Sequence, residues 1–138
     1  YYAQPHNTFW RIMGELFDAG VDVPYAERAD RLRACGIALW DVCREAVRRG
    51  SLDAAIDPTT VVTNDFRRFL REHPRIAHVC VNGGTAYRLY VRRVQPLLPE
   101  PLSSLPLHLL PSTSPAHASL RYAQKLQCWR LLEGLLVT

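Results

Sequence analysis

Four aromatic rings, a histidine and an asparagine fall within the ten residues Tyr1-Tyr2-Ala3-Gln4-Pro5-His6-Asn7-Thr8-Phe9-Trp10. Rings such as Tyr2 and Phe9 can stack on a flat unsaturated ligand such as an extruded nucleobase. The Asn7 amide can hold a water or read the edge of a base. The same residues also suit a bland reading, a helix cap followed by core aromatics. A second cluster is Leu110-Pro111-Ser112-Thr113-Ser114-Pro115-Ala116-His117-Ala118. Two prolines stiffen it, and its hydroxyls with the start of the next helix can receive an anion such as a phosphate. A Ser/Thr cap with proline punctuation explains the same composition. Asn82, and the pair Trp40-Asp41, complete the set: an amide, a ring and a carboxylate placed where apolar runs end.

The elements that must position these groups alternate. The spacing of Phe9, Ile12, Met13, Leu16 and Phe17 predicts a helix over 9–19, capped by Thr8 and ended by Gly20. Pro24 opens a second helix that Gly36 stops. The apolar run 37–43 reads as a buried strand, and 50–63 reads mostly as loop. Asn64 is expected to cap a third helix over 65–72, ended by His73-Pro74. A second strand is expected over 76–81, a sharp turn at Asn82-Gly83-Gly84, and a helix over 85–94. Four prolines make 95–106 a semi-rigid connection. A third strand follows over 107–110, and a last helix over 119–132 turns Tyr122, Leu126, Trp129 and Leu132 inward. This alternation predicts an α/β fold with a short parallel sheet. Ligands in such folds bind at the carboxyl ends of strands, which is where Trp40-Asp41, Asn82 and the 111–118 loop lie.

A chain of 138 residues suits one domain over 1–138. No apolar run approaches the roughly 20 residues that span a bilayer, so no membrane partner is expected. The net charge is +4, and 16 of the 17 basic residues are arginine, Lys125 being the exception. That balance permits nucleic-acid binding without demonstrating it. The four cysteines (35, 43, 80 and 128) form no C-x-x-C pair. They are expected to be buried free thiols in a reducing compartment, with no metal and no other cofactor.

Tyr-Tyr-x-x-Pro-x-Asn-x-Phe-Trp resembles the segment after the first motif of mismatch-specific uracil/thymine glycosylases, with Gln4 standing where their pattern has histidine. Ser112-Thr113-Ser114-Pro115-Ala116-His117-Ala118 resembles the second motif of the hypoxanthine-DNA glycosylase branch, family six of the uracil-DNA glycosylase superfamily. Residues 37–42, Gly50-Ser51-Leu52-Asp53 and Asn82-Gly83 are similar to that branch as well. The resemblance implies a three-layer α/β/α sandwich around a four-stranded parallel sheet. It also implies hydrolysis of the N-glycosidic bond of a flipped deaminated base, on DNA, by a cytoplasmic, nucleoid-associated monomer without cofactor. It places a first strand and a Gly/Pro-containing first motif before Tyr1.

Residue by residue, the resemblance makes Asn7 the catalytic candidate, orienting water or touching sugar and base. Asn82 becomes a base-binding residue, because an amide complements the O6 acceptor and N1–H donor of hypoxanthine. Trp40 and Asp41 stand where uracil enzymes of the superfamily often place a base-reading asparagine, and Phe9 and Tyr2 are expected to line the same pocket. Ser112 occupies the place of an electrophilic histidine in uracil enzymes. Ser114 matches a phosphate-gripping serine, and Ala116 stands at the position of a larger wedge. His117 and Arg121 are further candidates for DNA contact. Three alternatives stay open: a glycosylase acting mainly on uracil or thymine, a non-catalytic DNA-binding module with the same shell, and a serine hydrolase using Ser112 or Ser114, His117 and Asp41. The last lacks a G-x-S-x-G elbow.

Overall fold

The computed structural model describes residues 2, 6–41, 43–45 and 62–136. They form two compact units, Tyr1–Trp40 with Pro111–Thr138, and Asp41–Leu110.

The first unit begins with α1 (Phe9–Phe17), whose buried face is Phe9, Trp10, Ile12 and Met13. Thr8 does not cap α1 with its side chain. The Asn7 Oδ1 instead accepts the Phe9 N–H at 3.0 Å. The helix ends at Asp18 in the left-handed region, two residues before the expected Gly20. Gly20 serves close packing instead, because a Cβ on Gly14 would lie 2.8 Å from the Gly20 Cα. Helix α2 (Tyr25–Ala34) follows Pro24, as expected, and buries Leu32. Its end explains why residues 37–41 of the strand expected over 37–43 are not in a strand. Gly36 takes φ 94°, and the Ile37 N–H turns back to the Leu32 carbonyl at 2.9 Å. Ile37 thus closes a helix with the amide a sheet would have needed. Residues 37–41 have no regular structure.

The second unit starts with β1 (Cys43–Glu45), paired antiparallel with β2 (Val62–Thr63). Helix α3 (Phe66–Glu72) is capped by Asp65, whose carboxylate accepts the Arg68 N–H at 3.1 Å. The expected cap, Asn64, donates its amide to the Asp41 carbonyl at 2.7 Å. Strand β3 (Val79–Asn82) leads through Gly83 into α4 (Gly84–Leu89), which loosens into a π-helical turn over Tyr90–Val94. The proline-rich connection folds as two 3₁₀ turns, Gln95–Leu97 and Leu102–Ser104. Strand β4 (Leu107–Leu110) has the predicted bounds and pairs parallel to β3, with Val79 opposite Leu107 and Asn82 opposite Leu110. Leu70, Val81, Tyr90, Val94 and Leu98 form the core of this unit, with Phe66, Phe69 and Leu107 packed against it. The parallel sheet has two strands among the described residues, where three had been expected.

The chain then returns to the first unit. The loop after Leu110 leads to α5 (Tyr122–Trp129) and α6 (Leu131–Leu135), in place of one helix over 119–132. Trp129 is buried, its ring edge-on to Phe9 at 5.8 Å. Cys35 and Cys128 are exposed and Cys80 is half-buried, which corrects the expectation of buried thiols for the first two.

Candidate functional site

Within the first unit, two stretches 105 residues apart in sequence are bonded directly. The Thr8 N–H donates to the Thr113 carbonyl at 3.0 Å, and the Thr8 hydroxyl lies 3.3 Å from the same oxygen. Asn7 therefore precedes, and Ser112 and Ser114 flank, one shared junction. Thr113 is fully buried, so the junction is held from the inside.

The 111–118 loop is shaped by bonds to nearly every turn of its backbone. The Trp129 indole N–H donates to the Pro111 carbonyl at 2.9 Å. The Ser112 Oγ accepts the Ser114 N–H at 3.1 Å, and the Ser114 Oγ accepts the Ala116 N–H at 3.2 Å. Two successive hydroxyl-closed turns result. The serine oxygens thus shape the loop, while each O–H proton stays available to an outside acceptor. The Ser114 carbonyl accepts from the His117 N–H at 3.0 Å and from the Lys125 ammonium at 3.2 Å. Lys125 is buried, and desolvation pulls its pKa below the ordinary lysine value. Ala116 is exposed, and His117 is half-buried with its Nε2 3.3 Å from the Ser119 hydroxyl. Arg121 is exposed at the start of α5, its backbone N–H donating to the Gln124 side chain at 2.8 Å.

Asn7 is half-buried. Because its oxygen faces the Phe9 N–H, the amide NH₂ faces the other way, and the group can act outward only as a donor. Phe9 is buried, enclosed by Trp10, Trp129 and Tyr2. That burial corrects its assignment as a pocket-lining ring: Phe9 is core. Tyr2 is half-buried, with φ 58°, and lies over Phe9 at 4.2 Å between centroids.

The remaining candidates are placed differently. Trp40 is half-buried in the irregular end of the first unit's opening segment, not at a strand end. Asp41 is exposed and belongs to the second unit, where its carbonyl receives the Asn64 amide. Asn82 is half-buried at the carboxyl end of β3. Gly83 beyond it has φ 95°, and its N–H donates to the Leu110 carbonyl at 2.9 Å. The structure thus brings Asn7, Ser112, Ser114 and His117 together in one unit, and puts Asn82 and Asp41 in the other. Sequence reasoning missed Lys125 and the Trp129 indole as loop anchors. The steps of four from Arg121 to Lys125 and from Lys125 to Trp129 were the available signal, since they set the three on one helix face.

Comparison with known proteins gives the same direction. The solution structure of a candidate uracil DNA glycosylase from Methanosarcina acetivorans superposes with a TM-score of 0.74 at 27% identity, over 100% of this chain and 80% of that one. The fold is therefore of the uracil-DNA glycosylase type. In sequence, the chain is 33% identical over 87 residues to a hypoxanthine DNA glycosylase of the same organism, covering 62% of this chain and 54% of the relative. It is 31% identical over 84 residues to a hypoxanthine DNA glycosylase of Methanosarcina barkeri, covering 60% and 52%. The chain spans about half the length of these two relatives. No family model matches it. The similarity is to the hypoxanthine-DNA glycosylase branch of the superfamily, the resemblance the motifs carried. Among the described residues, no helix is long and apolar enough to cross a membrane.

Proposed function

We propose that this chain is the glycosylase domain of a base-excision enzyme that hydrolyses the N-glycosidic bond of a flipped deaminated base in DNA, with hypoxanthine as its main target. The observation that supports this most is the bonded junction of Thr8 and Thr113, which sets Asn7 beside the Ser112–His117 loop. The similarity to two hypoxanthine DNA glycosylases adds to it.

Cleavage proceeds through an oxocarbenium-like sugar while negative charge builds on the departing base. In this reading the Asn7 NH₂ donates, either to the oxygen of the attacking water or to an acceptor on the leaving base. The Ser112 and Ser114 hydroxyls donate to backbone phosphate, with Arg121 and His117 as further contacts. Tyr2 presents the stacking face and Phe9 backs it. Ala116, small and exposed, serves as a weak wedge, which favours mismatched or single-stranded targets whose bases leave the helix easily. Asn82 is the candidate for reading the base edge, and Trp40 and Asp41 are further base-binding candidates. The protein acts as a monomer, since one active site suffices.

The test uses end-labelled oligonucleotides, duplex and single-stranded, carrying hypoxanthine, uracil, xanthine or no lesion. Alkali-labile breaks at hypoxanthine are expected first. Uracil is the second target, because the structural neighbour is a candidate uracil enzyme. Binding to all strands without breaks at any lesion would reduce the chain to a DNA-binding module.

A further inference from the structure

The positive charge of this chain is not spread evenly. Residues 62–110 carry seven arginines against three carboxylates, a surplus equal to the whole chain's net charge of +4. All three carboxylates are already engaged. Asp65 caps α3, Glu72 pairs with Arg68 at 3.0 Å, and Glu100 accepts the Ser103 and Ser104 hydroxyls at 2.6 Å. Arg67 is exposed and has no carboxylate partner among the described residues.

Arg67 and Arg93 line one open cavity of about 220 Å³ in the second unit. Thr63 and Asn64 supply polar groups to its wall, and Phe66 and Leu97 supply apolar surface. Leu97 is 73% exposed, so the apolar wall reaches solvent. Two guanidiniums suit phosphate oxygens, and the adjoining apolar surface suits a sugar or base edge. The cavity is smaller than the roughly 300–1,000 Å³ usual for an enclosed small-molecule site. It suits one unit of a longer strand passing over it.

We propose that this face is a second nucleic-acid contact, in which Arg67 and Arg93 each hold a backbone phosphate of DNA. None of its residues belongs to the machinery assigned to base removal. The contact is sequence-independent and acts through counterion release. It supplies affinity for undamaged strand and leaves the cleavage step alone.

The experiment measures binding of the whole chain to an undamaged labelled DNA strand, by anisotropy, from 50 to 200 mM salt. Replacing both arginines, R67Q with R93Q, is expected to lower the slope of log affinity against log salt by about 1.4–1.8, as for the loss of two phosphates. L97E, at an exposed position, is expected to weaken binding in the same direction and guards against a folding defect in the double variant. Single-turnover base release at saturating DNA is expected to be unchanged in both. A slope unchanged in the double variant with binding unchanged in L97E overturns the proposal. So does polyglutamate displaced by the same substitutions to the same extent as DNA, which would make the face a general anion or acidic-protein site. Because the DNA carries no lesion, a chain that failed to release any base would still give a clear answer here.

Discussion

At the scale of single residues, Asn7 carries the sharpest expectation. Its oxygen is spent on the Phe9 N–H, so its chemistry rests on the NH₂ group. Asn7→Asp keeps the oxygen and removes the donor. It is expected to cost as much single-turnover rate as Asn7→Ala, on the order of 10²–10³-fold, the scale of one preorganised polar group. If Asp retained near-full rate while Ala lost it, Asn7 would be only the turn-former ahead of α1. The two roles were both legible in the sequence and could not be ranked there, because an asparagine before a helix serves either equally well. Ser112 and Ser114 show the same ambiguity resolved differently: each oxygen closes a turn and each proton remains for a ligand. Lys125 was passed over because a lone lysine on a helix is ordinarily a solvated surface group.

At the scale of elements, periodicity was a good guide wherever an element packs along one face. The apolar spacing of α1 and the bounds of β4 could be read directly. The run 37–43 misled over residues 37–41 because an apolar stretch after a helix stop has the composition of a buried strand. What decides its fate is the Ile37 amide, which the sequence does not display. The contact between Gly14 and Gly20 was also invisible, since both glycines read as punctuation. Gly14→Ala tests it. Alanine favours a helix by up to about 1 kcal/mol over glycine. Here its Cβ would meet the Gly20 backbone at 2.8 Å, an overpacking that costs about 1–3 kcal/mol. A net loss of about 1–2 kcal/mol is expected in urea unfolding. A gain in stability would show that the two backbones can move apart freely.

At the scale of the whole molecule, four titratable groups shifted by desolvation make stability depend on alkaline pH. Burial pushes the Cys80 thiol up to about 11, and also raises Tyr90 and Tyr122. A folded pKa above the unfolded value means the unfolded chain releases its proton first. The stability each group gives is complete below its unfolded pKa and is lost as pH rises through its folded one, about 11 for Cys80. Lys125 works the other way, its lowered pKa adding stability as pH climbs toward 10.5. Cys80 alone is expected to lower the unfolding free energy between pH 9 and 11, and Cys80→Ala is expected to make that fall shallower by at most about 2 kcal/mol after screening, seen as a smaller drop of the thermal midpoint. A midpoint that rises across this interval would show that Lys125 outweighs the rest.

The first unit is assembled from two separate lengths of chain, residues before 41 and residues after 110, with the second unit threaded between them as one continuous stretch. During synthesis Thr8 must wait for Thr113 and for the helix that anchors its loop. A nascent chain thus lacks the Thr8–Thr113 junction, and the Lys125 and Trp129 anchors of the loop beside it, until translation has passed α5.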